Sequence, residues 1–368
     1  MEENILRNHF ISKAAKRKVY ATARSLIERL TDHQIFKGVR PLIKEKEVTD
    51  LCNLVMEIVF PESVCLELKL SGPLLIVGDI LGHYRHLLHL FDTLGAPPQT
   101  SYLFLGNYAD VGKFGLETLI LLCAYKALYP SSIYLLKGKH ETDAISRDYG
   151  LLEECNRRFS IRTWHGFTTL FSYLPVVALI EEQILCLNGG LSPILSILIS
   201  RTDLPSVLRS LITKAEKFRR NSLLSQMLWS GPDSDTKGWD QNPAGLGYLF
   251  GPDVVRHFCE TAGISQIIRS GELIPEGYEF FKDPKLLTIF SAPDFMSTYR
   301  NNGAVVRIHK GHSYDVRTRI MVMKPIIHVG RKPVSRDPFK FEELPFNVGT
   351  GTRKSFCLPS LSGSLSRT

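Results

Sequence analysis

The chain has 368 residues, 44% hydrophobic, 10% aromatic and 22% charged, with 45 Lys+Arg against 37 Asp+Glu for a net charge of +8. That composition can fill a large core and excludes an intrinsically disordered polypeptide; no run approaches the roughly 18 apolar residues that cross a bilayer. The positive balance is concentrated in Lys13–Lys18 and Lys214–Arg220, which fit solvated helix faces, and no zinc-finger, basic-zipper or RNA-binding motif accompanies them, so nucleic acid is not the expected partner.

In chain order, residues 1–46 read as a helical N-terminal extension, and helical spacing continues to about Leu70. ATARSLIERL and KEVTDLCNLVMEIVF place apolar residues three and four apart. The second helix is expected to start at Val48–Asp50, with Thr49 or Asp50 as its cap, and to end at Pro61. The amino terminus has acidic residues where an export signal has basic ones, so export is not expected. Seven cysteines (52, 65, 123, 155, 186, 259, 357) form no CxxC pair, which predicts reduced thiols in the cytosol or nucleus. Cys52, Cys123, Cys186 and Cys259 sit in apolar runs and are expected in the core.

The stretch Pro73–Glu141 organises the rest. PLLIVGDILGH, SYLFLGNYADVGK and SSIYLLKGKHETD each begin as an apolar run and break at a glycine into a short polar loop. Such runs read as strands buried on both faces. HYRHLLHLFDTLG and GLETLILLCAYKALYP between them read as helices. Strand, loop and helix in repetition predict a mostly parallel sheet whose loops gather on the carboxyl edge, where open α/β sheets place their ligands. His83, His86 and His89 fall three apart, on one face of the helix after the first loop.

Further on, VVALIEEQILCLNGG reads as a hairpin turning at Glu181-Glu182-Gln183, with a fourth polar loop at Asn188. SQIIRSGE is a fifth strand and loop, and alternation from Leu286 suggests a second, more antiparallel sheet with TRIMVMKP as its last strand. Residues 326–368 lack periodicity and read as a flexible basic, Ser-rich tail.

The succession GD-x-x-G, G-x-Y-x-D-x-G, G-x-HE, x-GG and SAP, each after a strand, resembles the metallophosphoesterase fold. GDILGHYRHLLHLFDTLGAPP, SYLFLGNYADVGKFGLETL, LWSGPDSDTKGW and YLFGPDVV are similar to serine/threonine protein phosphatases, nearest the type-1 catalytic subunit. The likeness covers about 47–325. It implies an α/β sandwich of two mixed sheets flanked by helices, with two divalent metals (Mn, Fe or Zn) that generate a hydroxide and clamp a phosphoryl group. Carried over residue by residue, the ligand positions are Asp79, which matches, and Leu81, Asn107, Lys139, Asn188 and Gly271, which do not. The phosphate-gripping positions fall on Val111, Ala244 and Phe295. His140 matches the general acid and Asp110 the residue that holds it.

These departures predict a pseudophosphatase that needs no metal and acts through protein partners. The alternative is an active phosphoserine/phosphothreonine phosphatase with a rebuilt metal site, or a single metal on Asp79, Asn107 and Asn188. Lys139 is expected to pair with Asp79 and Asp110 in place of the metals. The family docks regulators carrying basic-Val-x-Phe peptides in an apolar groove, here aligned with Ile184, Phe280 and Leu287, with Gln266 and Ser265 as departures.

Overall fold

A computed structural model describes residues 12–32, 40–199, 203–215, 219–311, 315–325 and 341–347. Two helices open it, α1 (Lys13–Leu30) and α2 (Glu45–Val59), followed by strand β1 (Cys65–Leu68). The expected strand–helix alternation follows as β2 (Leu74–Val77), α3 (Tyr84–Leu94), β3 (Ser101–Phe104), α4 (Gly115–Leu128) and β4 (Ile133–Leu135). Helices α5 (Asp143–Asp148), α6 (Leu151–Arg158) and α7 (Ile161–Ser172) lead to a hairpin of β5 (Val177–Ile180) and β6 (Ile184–Leu187).

Next come α8 (Pro193–Leu198), α9 (Leu204–Leu211) and α10 (Leu223–Trp229), a small sheet of β7 (Gly231–Pro232), β8 (Trp239–Gln241) and β9 (Tyr248–Phe250), and α11 (Pro252–Ala262). The chain closes with β10 (Gln266–Arg269), β11 (Tyr278–Phe280), β12 (Leu286–Ile289), β13 (Gly303–Lys310), β14 (Val316–Met323) and β15 (Phe341–Asn347).

The strands form two six-stranded mixed sheets, ordered β1-β5-β6-β10-β12-β11 and β15-β14-β13-β2-β3-β4. β2, β3 and β4 are parallel, as are β6, β10 and β12. Alternation along each strand divides the core. Ile76, Leu103, Cys186, Ile268, Ile289 and Val306 fill the space between the sheets. Leu75, Val77, Tyr102 and Phe104 face α1–α7, while Val177, Leu185, Leu187 and Ile267 face α8–α11. This is the two-sheet sandwich flanked by helices that the sequence predicts. The most enclosed helix is α4, apolar around its whole circumference; even its Glu117 and Lys126 are buried, and Lys126 donates to Glu62 at 2.5 Å.

Four expectations need correction. The helical reading does not hold to Leu70: after Pro61, residues Cys65–Leu68 pair with Val177–Ile180 as an edge strand too short to show a period. The second helix starts at Glu45, one turn before Thr49, and Glu47 accepts the Lys44 N–H at 2.8 Å. A boundary at 46/47 therefore cuts a helix, and α1 is part of the main core through Val19, Ala23, Leu26 and Leu30. The tail is not uniformly irregular, because Phe341–Asn347 completes a sheet beside β14, a long-range pairing that local pattern cannot reveal. The remaining tail, 326–340 and 348–368, lies outside the described residues. Six cysteines, from Cys52 to Cys259, are free and buried; Cys357 lies outside the described residues. Among the described residues no helix is long and apolar enough to cross a membrane.

Candidate functional site

The two sheets meet at Asp79, which bridges in parallel to Phe290, the residue after β12. Loops after β2, β3, β4, β6 and β10 converge on this seam and deliver Asp79, Asn107, Lys139–Glu141, Asn188 and Ser270-Gly271. The close approach has a backbone cause: a Cβ on Gly106 (φ +108°) would stand 2.3 Å from the Gly138 nitrogen.

Asp79 is 2% exposed, and neutral donors surround its carboxylate. Oδ2 accepts from Asn107 Nδ2 at 2.8 Å, and Oδ1 accepts from Ser270 Oγ at 2.7 Å and Asn188 Nδ2 at 3.1 Å. The far side of Asn107 fixes its amide: Oδ1 accepts the His140 N–H at 3.1 Å, so the NH2 group must face Asp79. The Asn107 backbone is left-handed (φ 58°), a conformation asparagine tolerates, and its N–H donates to Glu141 at 2.8 Å. Glu141 also accepts from the Tyr108 and Gly138 backbone nitrogens. Burial pushes its carboxyl up to about 6, opposed by those three bonds and the His140 charge.

Lys139 does not replace the metals. Its ammonium donates to the Gly271 carbonyl at 2.9 Å and lies 5.7 Å from the Trp229 ring centroid. It makes no ion pair with Asp79 or Asp110, and the amide donors around Asp79 are the physical reason. His140 Nδ1 and Asp110 Oδ2 are 2.7 Å apart, as the sequence predicts for a dyad. The other Asp110 oxygen accepts the Leu151 N–H at 3.0 Å, at the first residue of α6.

Beside Asp79, Leu81, Ile274, Phe290 and Ala292 form a buried apolar cluster, with Val111, Leu273 and Phe295 packed against it. Leu81, Val111 and Phe295 stand where the resemblance expects a metal-binding histidine, an arginine and a tyrosine. Ala244 is exposed, in the loop between β8 and β9. The His83 ring stacks on His86 at 5.5 Å and touches Phe295 at 5.1 Å. Burial pulls His83 down to about 4 and His86 to about 3, the latter with help from neighbouring charges.

This donor set does not fit a two-metal centre. A dication needs oxygen or nitrogen lone pairs. Asn107 and Asn188 turn N–H groups inward, and Leu81 and Gly271 offer nothing. Among the described residues no group of three or more His, Cys, Asp or Glu is placed to hold a metal ion.

The groove positions fall on neighbouring strands. Ile184 on β6 and Leu287 on β12 are fully buried between the sheets, whereas Phe280 on β11, the register partner of Leu287, is 37% exposed. Gln266 pairs with Ile184, and its amide donates to the Pro284 carbonyl at 3.1 Å. Sequence reasoning gave no role to Ser270, Glu141 or the Ile274–Phe290 cluster. Glu141 had a usable signal, its place beside His140 in G-x-HE; Ser270 had none.

A family model for calcineurin-like phosphoesterases matches residues 72–275. The chain belongs to that family. A serine/threonine phosphatase from Saccharomyces cerevisiae, described as similar to human phosphatase PP5, superposes with a TM-score of 0.72 at 26% identity, over 87% of this chain and 95% of that one. A cold-active protein-tyrosine phosphatase from a psychrophilic Shewanella species gives a TM-score of 0.49 at 14% identity, over 72% of this chain and 81% of that one. This calcineurin-like chain is therefore a serine/threonine phosphatase-like metallophosphoesterase, a family that normally uses divalent metals.

Proposed function

We propose that this chain is a pseudophosphatase, a phosphatase fold that binds proteins and does not hydrolyse phosphoesters. The observation that carries the reading is the Asp79 carboxylate, whose oxygens accept from Asn107, Asn188 and Ser270 where metal bonds would form. Without metal-bound hydroxide the His140–Asp110 pair has no nucleophile to assist. Asp110 instead holds His140 and the start of α6, which joins two loops. With Val111, Ala244 and Phe295 at the phosphate-gripping positions, binding of phosphatase regulators is favoured over capture of phosphoproteins. In the groove, Phe280 is the side chain within a partner's reach, beside its buried register partner Leu287; Ile184, on β6, is buried as well.

The test is metal retention and turnover together. Purified chain is incubated with Mn²⁺, desalted, and assayed for metal per chain and for hydrolysis of a phosphoserine peptide, beside an active relative. Near-zero metal and no turnover are expected. Two retained metals with turnover abolished by His140→Ala would establish the rebuilt-site phosphatase instead.

A further inference from the structure

The basic run Lys214–Arg220 has no part in the site or in its proposed function. Contrary to the helix expected for it, its described residues lie between α9, which ends at Leu211, and α10, which begins at Leu223. Lys214 at its start is anchored, its Nζ donating to the Val59 carbonyl at 2.6 Å. The run leads into Arg219-Arg220-Asn221-Ser222-Leu223, two guanidinium groups three and two places before a hydroxyl, with an apolar residue after it. A serine/threonine kinase with an acidic peptide groove reads this spacing, because carboxylates in the groove pair with the two arginines. The chain holds a second stretch of the same pattern, Arg157-Arg158-Phe159-Ser160-Ile161.

The structure separates the two. Arg158 is committed to buried Glu117 at 2.6 Å, with Glu154 at 3.7 Å. The Ser160 hydroxyl donates to the Glu45 carboxylate, so a phosphate there would meet a negative charge. The Ser222 hydroxyl instead bonds to backbone, donating to the Arg219 carbonyl at 3.0 Å and accepting the Ser225 N–H at 3.2 Å. Arg219, Arg220 and Asn221 are exposed and Ser222 is half-buried. Arg220 Nη2 donates to the Gly245 carbonyl at 3.4 Å, a long bond to the loop that holds Ala244. Ser225 Oγ donates to the Arg220 carbonyl at 2.8 Å, and Gln226 Nε2 to the Asn221 carbonyl at 3.4 Å. Leu223 is 6% exposed, so segment 219–223 has to open before an enzyme can hold it extended.

We propose that Ser222 is a phosphorylation site for a serine/threonine kinase that selects paired arginines, and that Ser160 is not. The inference is independent of whether the chain hydrolyses phosphoesters. Ser222 Oγ attacks the γ-phosphorus of ATP; the new O–P bond forms as the bond to the β–γ bridging oxygen breaks, ADP leaves, and the hydroxyl proton passes to the kinase's carboxylate base. The product has lost the O–H that reached the Arg219 carbonyl and has gained a dianion beside Arg220. A charge-assisted bond to that phosphate draws Arg220 off Gly245. The new charge sits at one end of α10, whose other end, Trp229, has its ring centroid 5.7 Å from the Lys139 ammonium.

The test is incubation of the full-length chain with Mg-ATP and the catalytic subunit of cyclic-AMP-dependent protein kinase, followed by site-resolved mass spectrometry. Phosphate is expected on Ser222 of the folded chain, at a rate about 10- to 1,000-fold below that of a free peptide of residues 216–226, the difference being the opening of the segment. Arg219→Ala should slow it at least about 10-fold, and Ser222→Ala should abolish it. A free peptide of residues 154–164 should also be phosphorylated, whereas Ser160 in the folded chain should not. Phosphate that reaches Ser222 only after heat denaturation, or Ser160 modified as fast as Ser222 in the folded chain, would overturn the proposal. In phosphorus NMR the Ser222 phosphate should titrate below the ordinary value of about 6, and a value at or above it would overturn the contact with Arg220.

Discussion

The Asp79 centre and the His140–Asp110 pair share one seam and have fared differently. Around Asp79 nearly every position implied for metal binding is replaced, yet the loops still converge. At the dyad both residues remain, and under the pseudophosphatase proposal they have no reaction to serve. The difference separates two jobs that one set of side chains performs in an enzyme, holding loops and doing chemistry. Under that proposal Asp79 serves the first, through bonds to two amides and a hydroxyl. Asp110 had the first all along, because one oxygen holds His140 and the other holds the first turn of α6.

The largest expected effect falls on the replaced centre. Asp79→Ala leaves the buried amide donors of Asn107 and Asn188 without an acceptor, while Ser270 Oγ keeps the Ile289 carbonyl at 2.7 Å, and is expected to cost about 4 kcal/mol of stability in urea unfolding. A loss of less than about 1 kcal/mol would mean that the amide network does not hold the loops.

On the dyad side, Glu154 of α6 is buried against Glu117, and burial followed by that charge pushes its carboxyl up to about 7 from 4.5. The folded state therefore binds this proton more tightly than the unfolded chain does. Its stabilising contribution is complete below pH 4.5 and is lost as pH rises through 7. Between pH 4 and 8 wild type should lose about 3 kcal/mol relative to Glu154→Gln, measured as the difference of their unfolding curves.

Asp110→Ala removes an acceptor from both His140 and Leu151 and is expected to cost about 2 kcal/mol. A cycle with His140→Ala should show that the two losses are not additive. The smallest effect is expected at Lys139, whose ammonium is satisfied by one carbonyl and one ring face. Lys139→Met should shift stability by under about 0.5 kcal/mol, and a loss as large as that of Asp79→Ala would restore Lys139 as the substitute for the metals.

Much of the fold was legible in the sequence because its signals are local. Buried runs such as LLIV and SYLF, each ending at a glycine, mark strands and loops wherever they occur. The β5–β6 turn was equally plain, since Glu181-Glu182-Gln183 interrupts two apolar runs; Glu181 and Glu182 take left-handed backbone angles there. β1 and β15 were missed because each is defined by a distant partner, 112 positions away for β1 and 18 to 30 for β15. At the site, composition identified which positions were altered, but direction was hidden. An asparagine can offer a lone pair or an N–H, and only the His140 backbone on the far side of Asn107 decides between them. Lys139 misled for the opposite reason: its charge suggested a carboxylate partner, whereas its reach ended at a carbonyl.

Helix α4 sets a limit on how the molecule can be shortened. Its apolar surface is closed on one side by α1, which packs directly against it. A product of proteolysis or alternative initiation that lacks residues 13–30 would expose that surface to water and to its own copies. Such a fragment should aggregate, so the helix Lys13–Leu30 is a condition for the protein's persistence in solution.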